Sequence, residues 1–98
     1  MYAVSYRPKA RNDYDRAIDW YGERSKAAAE NFITVVEEKT NSISLHPKKY
    51  RKSYREYHET STRIYPYSIV YFIDELSMTV VIVRIYHHKR SPKQKYRK

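Results

Sequence analysis

The sequence has no cysteine, one glycine and four histidines among its 98 residues. The absence of cysteine excludes disulfide bonds and thiolate chemistry, and so few histidines make a zinc site an unattractive interpretation. A single glycine excludes a glycine-rich loop of the kind that binds phosphates. No apolar run approaches ~18 residues, and the N-terminus lacks the apolar core of a signal peptide. We therefore expect a cytoplasmic protein that spans no membrane and uses no metal and no cofactor.

Positive charge is what the sequence has in excess. Lysine and arginine total 20 against 11 acidic residues, which gives a net charge of +9. Such an excess favours a polyanionic partner, which is nucleic acid, an acidic protein or an anionic membrane surface. The cations are concentrated in two places. The first is the basic cluster, which we define as Lys48, Lys49, Arg51, Lys52 and Arg55. The second starts at Lys89 and Arg90 and continues through residues 91–98.

The basic cluster allows two interpretations. It is either a solvated surface or a surface that binds RNA or an acidic protein, with its charges setting the affinity. Tyr50 and Tyr54 lie between the cations and could stack on bases or pack against a partner. Lys89 and Arg90 are predicted to extend the same kind of binding surface.

The stretch 63–90 is rich in β-branched and aromatic residues, which favour a pleated sheet. Residues 64–73 and 78–86 read as two long strands, and the polar residues 74–77 between them predict a turn. The first strand is apolar on both faces, which is typical of a central strand. We therefore predict a long β-hairpin at the centre of the sheet.

Side chains alternate between the two faces of a strand, so each face of the second strand can be predicted. One face carries Val81, Val83 and Ile85, and we expect it to contact the core. The opposite face turns from apolar to polar along the strand and carries Val80, Ile82, Arg84, Tyr86 and His88. Any chemistry of the hairpin is therefore expected near the C-terminal end of that face.

The rest of the chain predicts two helices before a run of strands. Apolar residues recur at three- and four-residue spacing, first up to Gly22 and then beyond Ser25, which can cap the second helix. The predicted elements before the hairpin are a strand at 2–6, helices at 9–23 and 26–45, and a strand at 54–59. The order β-α-α-β-β-β predicts an α+β fold, with a helix hairpin packed on one face of a mostly antiparallel sheet. We predict a single domain at 1–90 and a basic tail at 91–98.

This order resembles the RelE/ParE superfamily, the plasmid-stabilisation toxins of type II toxin–antitoxin modules. The resemblance rests on the strand YSIVY at 67–71, Asp74 in the turn, and the ending VRIYHHKR at 83–90. The helical AIDWY at 17–21 and the pair His46-Pro47 are also similar. The likeness extends from Tyr2 to about Arg90.

The resemblance implies a growth-inhibiting toxin that an acidic antitoxin neutralises, with a toxin–antitoxin hetero-oligomer as the expected complex. The ParE-like branch inhibits DNA gyrase and is not a nuclease. The RelE-like branch cleaves mRNA on the ribosome without a metal ion. A basic nucleic-acid-binding module with no toxicity is a third interpretation.

The RelE-like branch would need a general base, cations around the phosphate and an acid for the leaving oxygen. The residues that could supply these roles by their position in the resemblance are His88, His87, Arg90, Arg84, Arg63 and Tyr96. The sequence departs from that branch at other positions, however. Ser68 stands where the nuclease branch usually carries an arginine. The lysines that the nuclease branch places on the preceding strand fall near Glu59 and Ser61 of this chain. Because losing cations around a scissile phosphate is costly, the departure favours the ParE-like branch.

Overall fold

A computed structural model of the chain describes residues 1–89. Within that range the chain forms two helices and five strands, in the order β1-α1-α2-β2-β3-β4-β5. Their bounds are β1 Ala3–Tyr6, α1 Pro8–Gly22, α2 Lys26–Leu45, β2 Lys52–Tyr54, β3 Tyr57–Ser61, β4 Tyr67–Asp74 and β5 Thr79–His87. The architecture is the predicted α+β fold, with the helix pair packed on one face of the sheet.

The sheet has the strand order β1-β5-β4-β3-β2. All neighbouring strands are antiparallel except β1, which runs parallel to β5. Strand β4 is therefore central, as its apolar residues on both faces predict. Its first five residues, from Tyr67 to Tyr71, are all buried.

Both helices begin and end close to the predicted positions. Pro8 occupies the first turn of α1, where its missing N–H costs nothing. The side chain of Ser25 caps α2 by accepting a hydrogen bond of 3.2 Å from the backbone N–H of Ala28. Three residues separate the helices, so they pack as an antiparallel hairpin.

The core lies between the helix hairpin and one face of the sheet. The helices contribute Ala10, Tyr14, Ala17, Phe32, Val36 and Ile43, and the sheet contributes Tyr67, Ile69, Tyr71, Val80, Ile82 and Ile85. Tyr71 is fully buried, and its hydroxyl donates a hydrogen bond of 2.6 Å to the carbonyl oxygen of Pro47. This bond satisfies the polar end of the side chain, so the ring can fill the core.

The face prediction for β5 is wrong in its first half. Val80 and Ile82 are fully buried, whereas Val81 and Val83 are only partly buried. The cause is a β-bulge: β4 pairs Tyr71 with Ile82 but Val70 with Arg84, so Val83 is an extra residue in β5. The extra residue reverses which face the later residues of β5 occupy. Ile85, beyond the bulge, therefore lies in the core as predicted.

The segment 54–59 is not one strand. It contains the end of β2 and the start of β3, which pair as an antiparallel hairpin around Arg55. Arg55 has φ 51°, a left-handed conformation that favours glycine, and no glycine or proline marks this turn in the sequence. The sheet consequently has one short edge strand more than predicted. No helix in the described range is long and apolar enough to cross a membrane.

Candidate functional surfaces

The face of the sheet opposite the helices carries a polar cluster at the end of β5. We call it the His88 cluster and define it as Glu59, Ser61, Ser68, Tyr86 and His88. His88 Nε2 lies 3.0 Å from Ser68 Oγ, and Ser68 Oγ lies 3.4 Å from Ser61 Oγ. The Tyr86 hydroxyl donates a short hydrogen bond to Glu59 Oε2. Strand pairing explains the assembly, because Ser61 and Tyr86 are the neighbours of Ser68 across β3 and β5.

The His88 cluster contains one carboxylate, three hydroxyl groups and one imidazole. Its members include Ser68, which stands where the resemblance places an arginine of the nuclease branch, and Glu59 and Ser61, near which it places the lysines. A carboxylate repels the phosphate of an RNA substrate, and hydroxyl groups cannot neutralise the charge of that phosphate in a transition state. These three residues lie in one cluster, in which Ser68 contacts His88 directly, Ser61 contacts Ser68, and Glu59 contacts Tyr86.

Arg84 is neutralised within the fold. Its Nε donates to Asp13 Oδ2 at 2.7 Å and its Nη2 donates to Asp13 Oδ1 at 3.1 Å, so the pair is bidentate. Both side chains are largely buried, with 18% and 15% of their surfaces exposed. Asp13 belongs to α1, and therefore the guanidinium of Arg84 is directed to the helix layer.

Two other predicted catalytic residues lie away from the His88 cluster. Arg63 forms an exposed ion pair of 3.0 Å with Glu38 of α2. The ring of His87 packs edge-on against the Tyr67 ring at 5.2 Å, and its Nδ1 accepts from the Lys89 N–H at 3.1 Å. The predicted residues Arg90 and Tyr96, and the tail 91–98, lie outside the described residues.

Four residues of the basic cluster line one groove. Lys48, Lys49, Arg51 and Lys52 surround an open groove of about 550 Å³, which also contains Glu56 and Glu75. Lys48 is paired with Glu75 at 2.9 Å. The hydrogen bond from Lys48 is the main reason that the pKa of the Glu75 carboxyl is lowered, and the Tyr2 hydroxyl adds to it. The groove therefore has an excess of positive charge, and within it Lys48 and Glu75 neutralise each other.

Arg55 and Lys89 lie outside the groove. The Arg55 guanidinium stands 5.2 Å from the ring centre of Tyr54 in the β2–β3 turn. Lys89 is exposed just after β5. The structure thus brings together four of the seven cations predicted to bind a partner, while Arg90 is outside the described range.

His58 also lines the groove, although no pattern in the sequence singles it out. It is 6% exposed, stacks on the Tyr71 ring at 5.1 Å, and its Nδ1 lies 2.7 Å from the carbonyl oxygen of Tyr50. No alternation in the sequence marks it, because Tyr57 and His58 are both buried in a strand of only five residues. Within residues 1–89 no group of three or more metal-binding side chains is clustered.

Comparison with solved structures identifies the fold. The toxin of the chromosomal ParDE system of Pseudomonas aeruginosa superposes with a TM-score of 0.74 at 15% identity, covering 89% of this chain and 96% of that chain. The isolated RelE toxin of Escherichia coli gives a TM-score of 0.64 at 13% identity, covering 95% and 90%. The RelBE2 toxin–antitoxin complex of Mycobacterium tuberculosis gives 0.60 at 26% identity, covering 88% and 90%. The fold is that of RelE- and ParE-type toxins.

The sequence model of the ParE toxin family, described as the ParE toxin of the type II toxin–antitoxin system parDE, matches residues 4–92. The chain therefore belongs to the ParE toxin family and is a toxin of a type II toxin–antitoxin system. A search of curated proteins gives no significant match.

Proposed function

We propose that this toxin arrests growth by binding DNA gyrase, without catalysis, and that an acidic antitoxin neutralises it. The observation that carries the proposal is the composition of the His88 cluster. By the resemblance, Ser68 stands where a ribosome-dependent nuclease would hold an arginine, and the lysines of such a nuclease would fall near Glu59 and Ser61. Two further candidate cations, Arg84 and Arg63, are engaged by Asp13 and Glu38.

The antitoxin part of the proposal is supported by charge. A chain with a net charge of +9 and a basic groove suits an acidic, extended partner that folds on contact. The RelBE2 structure from Mycobacterium tuberculosis is a toxin–antitoxin complex, and so is the intact RelBE complex of Escherichia coli, which is similar to this chain with a TM-score of 0.64 at 13% identity. Both support the same kind of partner for this chain.

Ribosome-dependent mRNA cleavage is the alternative, and one observation favours it. His88 is exposed on the open face, with its imidazole 3.0 Å from Ser68 Oγ and its ring near Tyr86. An exposed imidazole beside hydroxyl groups is able to transfer protons at neutral pH. In this alternative His88 is the general base, and Arg90 supplies the cation.

The experiment adds the purified toxin to a DNA gyrase supercoiling reaction and, in parallel, to a ribosome-dependent mRNA cleavage reaction. We expect loss of supercoiling and intact mRNA. His88→Ala is expected to retain the growth arrest of the wild type, because the proposal gives His88 no chemical role.

The matched variant is His46→Ala, which removes a histidine far from the His88 cluster, at the end of α2. Cleaved mRNA together with loss of toxicity in His88→Ala, but not in His46→Ala, would establish the alternative and reject gyrase binding.

A further inference from the structure

The loop between β3 and β4 holds one residue in a strained conformation. Ile64 has φ 73°, and the Tyr65 N–H donates to the Arg63 carbonyl oxygen at 2.8 Å. A hydrogen bond between residues two apart around a positive φ defines a γ-turn of the rare, strained type. Isoleucine is among the least suitable residues for this turn, because its branched Cβ crowds the backbone.

The surrounding contacts keep the strain in place. The Thr62 hydroxyl donates to the Tyr65 carbonyl oxygen at 2.8 Å, and the Thr62 N–H donates to the Tyr67 carbonyl oxygen at 2.9 Å. The rings of Tyr65 and Tyr67 are anchored in the core against Phe32, at 5.4 Å and 5.0 Å. The loop cannot relax without breaking these bonds, so Ile64 is held rigidly.

The strained side chain has no evident use inside the molecule. Ile64 is 76% exposed, and its neighbours Arg63 and Pro66 are exposed as well. Burial of an apolar side chain would offset strain, but exposure to water does not. A rigid, exposed and strained side chain is typical of a residue kept for contact with another molecule.

The loop lies beside the end of β5. The His88 N–H donates to the Pro66 carbonyl oxygen at 2.8 Å, so His88 and the exposed Lys89 follow directly beside the loop. The chain as a whole carries a net charge of +9. An exposed apolar contact point on a chain with this excess of positive charge fits an acidic protein segment that also carries apolar side chains.

We infer that Ile64 is an apolar anchor for the acidic antitoxin, packing between apolar side chains of that partner. The inference rests on the proposed neutralisation by an antitoxin. A disordered partner loses conformational entropy when it folds on the toxin. Because the Ile64 loop is already fixed by its hydrogen bonds, the toxin side of the contact adds no further loss of conformational entropy on binding. The strain of Ile64 is thus retained for binding, at the expense of the toxin's own stability.

The test replaces Ile64 with asparagine, which tolerates a positive φ and is polar. The probe is the purified product of the short acidic open reading frame that the proposed function expects beside this gene. We expect Ile64→Asn to raise the melting temperature by about 4 °C or more and to weaken antitoxin binding about tenfold or more. Ile64→Val keeps an apolar, branched side chain and is expected to bind within about threefold of the wild type.

Leu76→Asn is the matched control. Leu76 is fully exposed in the turn at the opposite end of β4, and its loss is expected to leave antitoxin binding unchanged. Equal binding by wild type and Ile64→Asn overturns the inference, as does a loss of gyrase inhibition by Ile64→Asn with antitoxin binding intact. If the wild type itself does not bind the acidic product, the proposed neutralisation is wrong instead.

Discussion

The carboxylate of Asp13 performs two tasks in the fold. It neutralises Arg84 through two hydrogen bonds, and its Oδ2 also accepts from the Ile85 N–H at 3.0 Å. Strand β1 ends at Tyr6, so beyond this residue the edge of β5 has no strand beside it. Asp13 supplies the acceptor that the missing strand would have provided, which avoids an unpaired N–H in a largely buried site.

Asp13→Asn is expected to lower the free energy of unfolding by about 2–3 kcal/mol, because it leaves Arg84 without its counter-charge in a largely buried site. Urea denaturation at pH 7 measures this change. Asp15→Asn is the control, because Asp15 is exposed on the same helix; its effect should stay within about 0.5 kcal/mol. Similar stability of the two variants would show that the pair contributes little.

At the level of elements, the β-bulge in β5 changes what the strand presents. Without Val83, β5 would alternate regularly from Ile82 to Ile85. The extra residue leaves both Val83 and Arg84 opposite Val70, and Arg84 reaches around the strand edge to Asp13. A bulge depends on contacts between strands, so the residue pattern of β5 alone cannot reveal it.

The helices were predictable because their signals are local. Ser25 as a cap, Pro8 in a first turn and the spacing of apolar residues all act within a few residues of the chain. The hairpin of β2 and β3 was not predictable, because its turn uses Arg55 at a positive φ and its strands are only three and five residues long. Sequence patterns need longer strands before alternation becomes informative.

Ser25→Ala is expected to lower the free energy of unfolding by about 1 kcal/mol, since the Ala28 N–H loses its only side-chain acceptor at the start of α2. Ser25→Asp restores an acceptor and should retain wild-type stability. Urea denaturation of the three proteins decides the matter; a Ser25→Asp variant as unstable as Ser25→Ala would contradict a capping role.

The candidate site was only partly predictable for a similar reason. The resemblance pointed to His88 and to departures at Ser68 and near Glu59 and Ser61. Strand pairing and the contact between Ser68 and His88 bring these four residues together. The same reasoning gave Arg84 a role on the open face, although the structure directs its guanidinium to α1. A counter-charge from a residue as distant in sequence as Asp13 is visible only in three dimensions.

At the level of the whole molecule, the core depends on tyrosine, of which the chain has 12 against 2 phenylalanines. Burial raises the pKa of Tyr14 to about 12 and raises that of Tyr71 further. Both hydroxyls therefore stay protonated in the folded state at a pH where the unfolded chain ionises. Above pH 10 the unfolded state binds fewer protons than the folded state, so stability falls as the pH rises.

We expect unfolding by alkali to begin near pH 10. Between pH 10 and 12 the free energy of unfolding of Tyr14→Phe should fall less steeply than that of the wild type, by up to about 1.4 kcal/mol per pH unit, because the variant has one ionising group fewer. At pH 7 the variant should differ from the wild type by less than about 1 kcal/mol, because the ring is kept. Urea denaturation at a series of pH values measures both. Parallel curves for the two proteins would mean that Tyr14 ionises equally in both states.

The parallel pairing of β1 with β5 joins the two ends of the described chain, since Ala3 pairs with Thr79 and Tyr6 pairs with Ile82. During translation β1 emerges first and has no neighbouring strand until β5 has been made, because β5 separates it from β4. A chain truncated before β5 therefore lacks the strand that links β1 to the rest of the sheet. The five-stranded sheet is consequently completed only when the last of its strands is available.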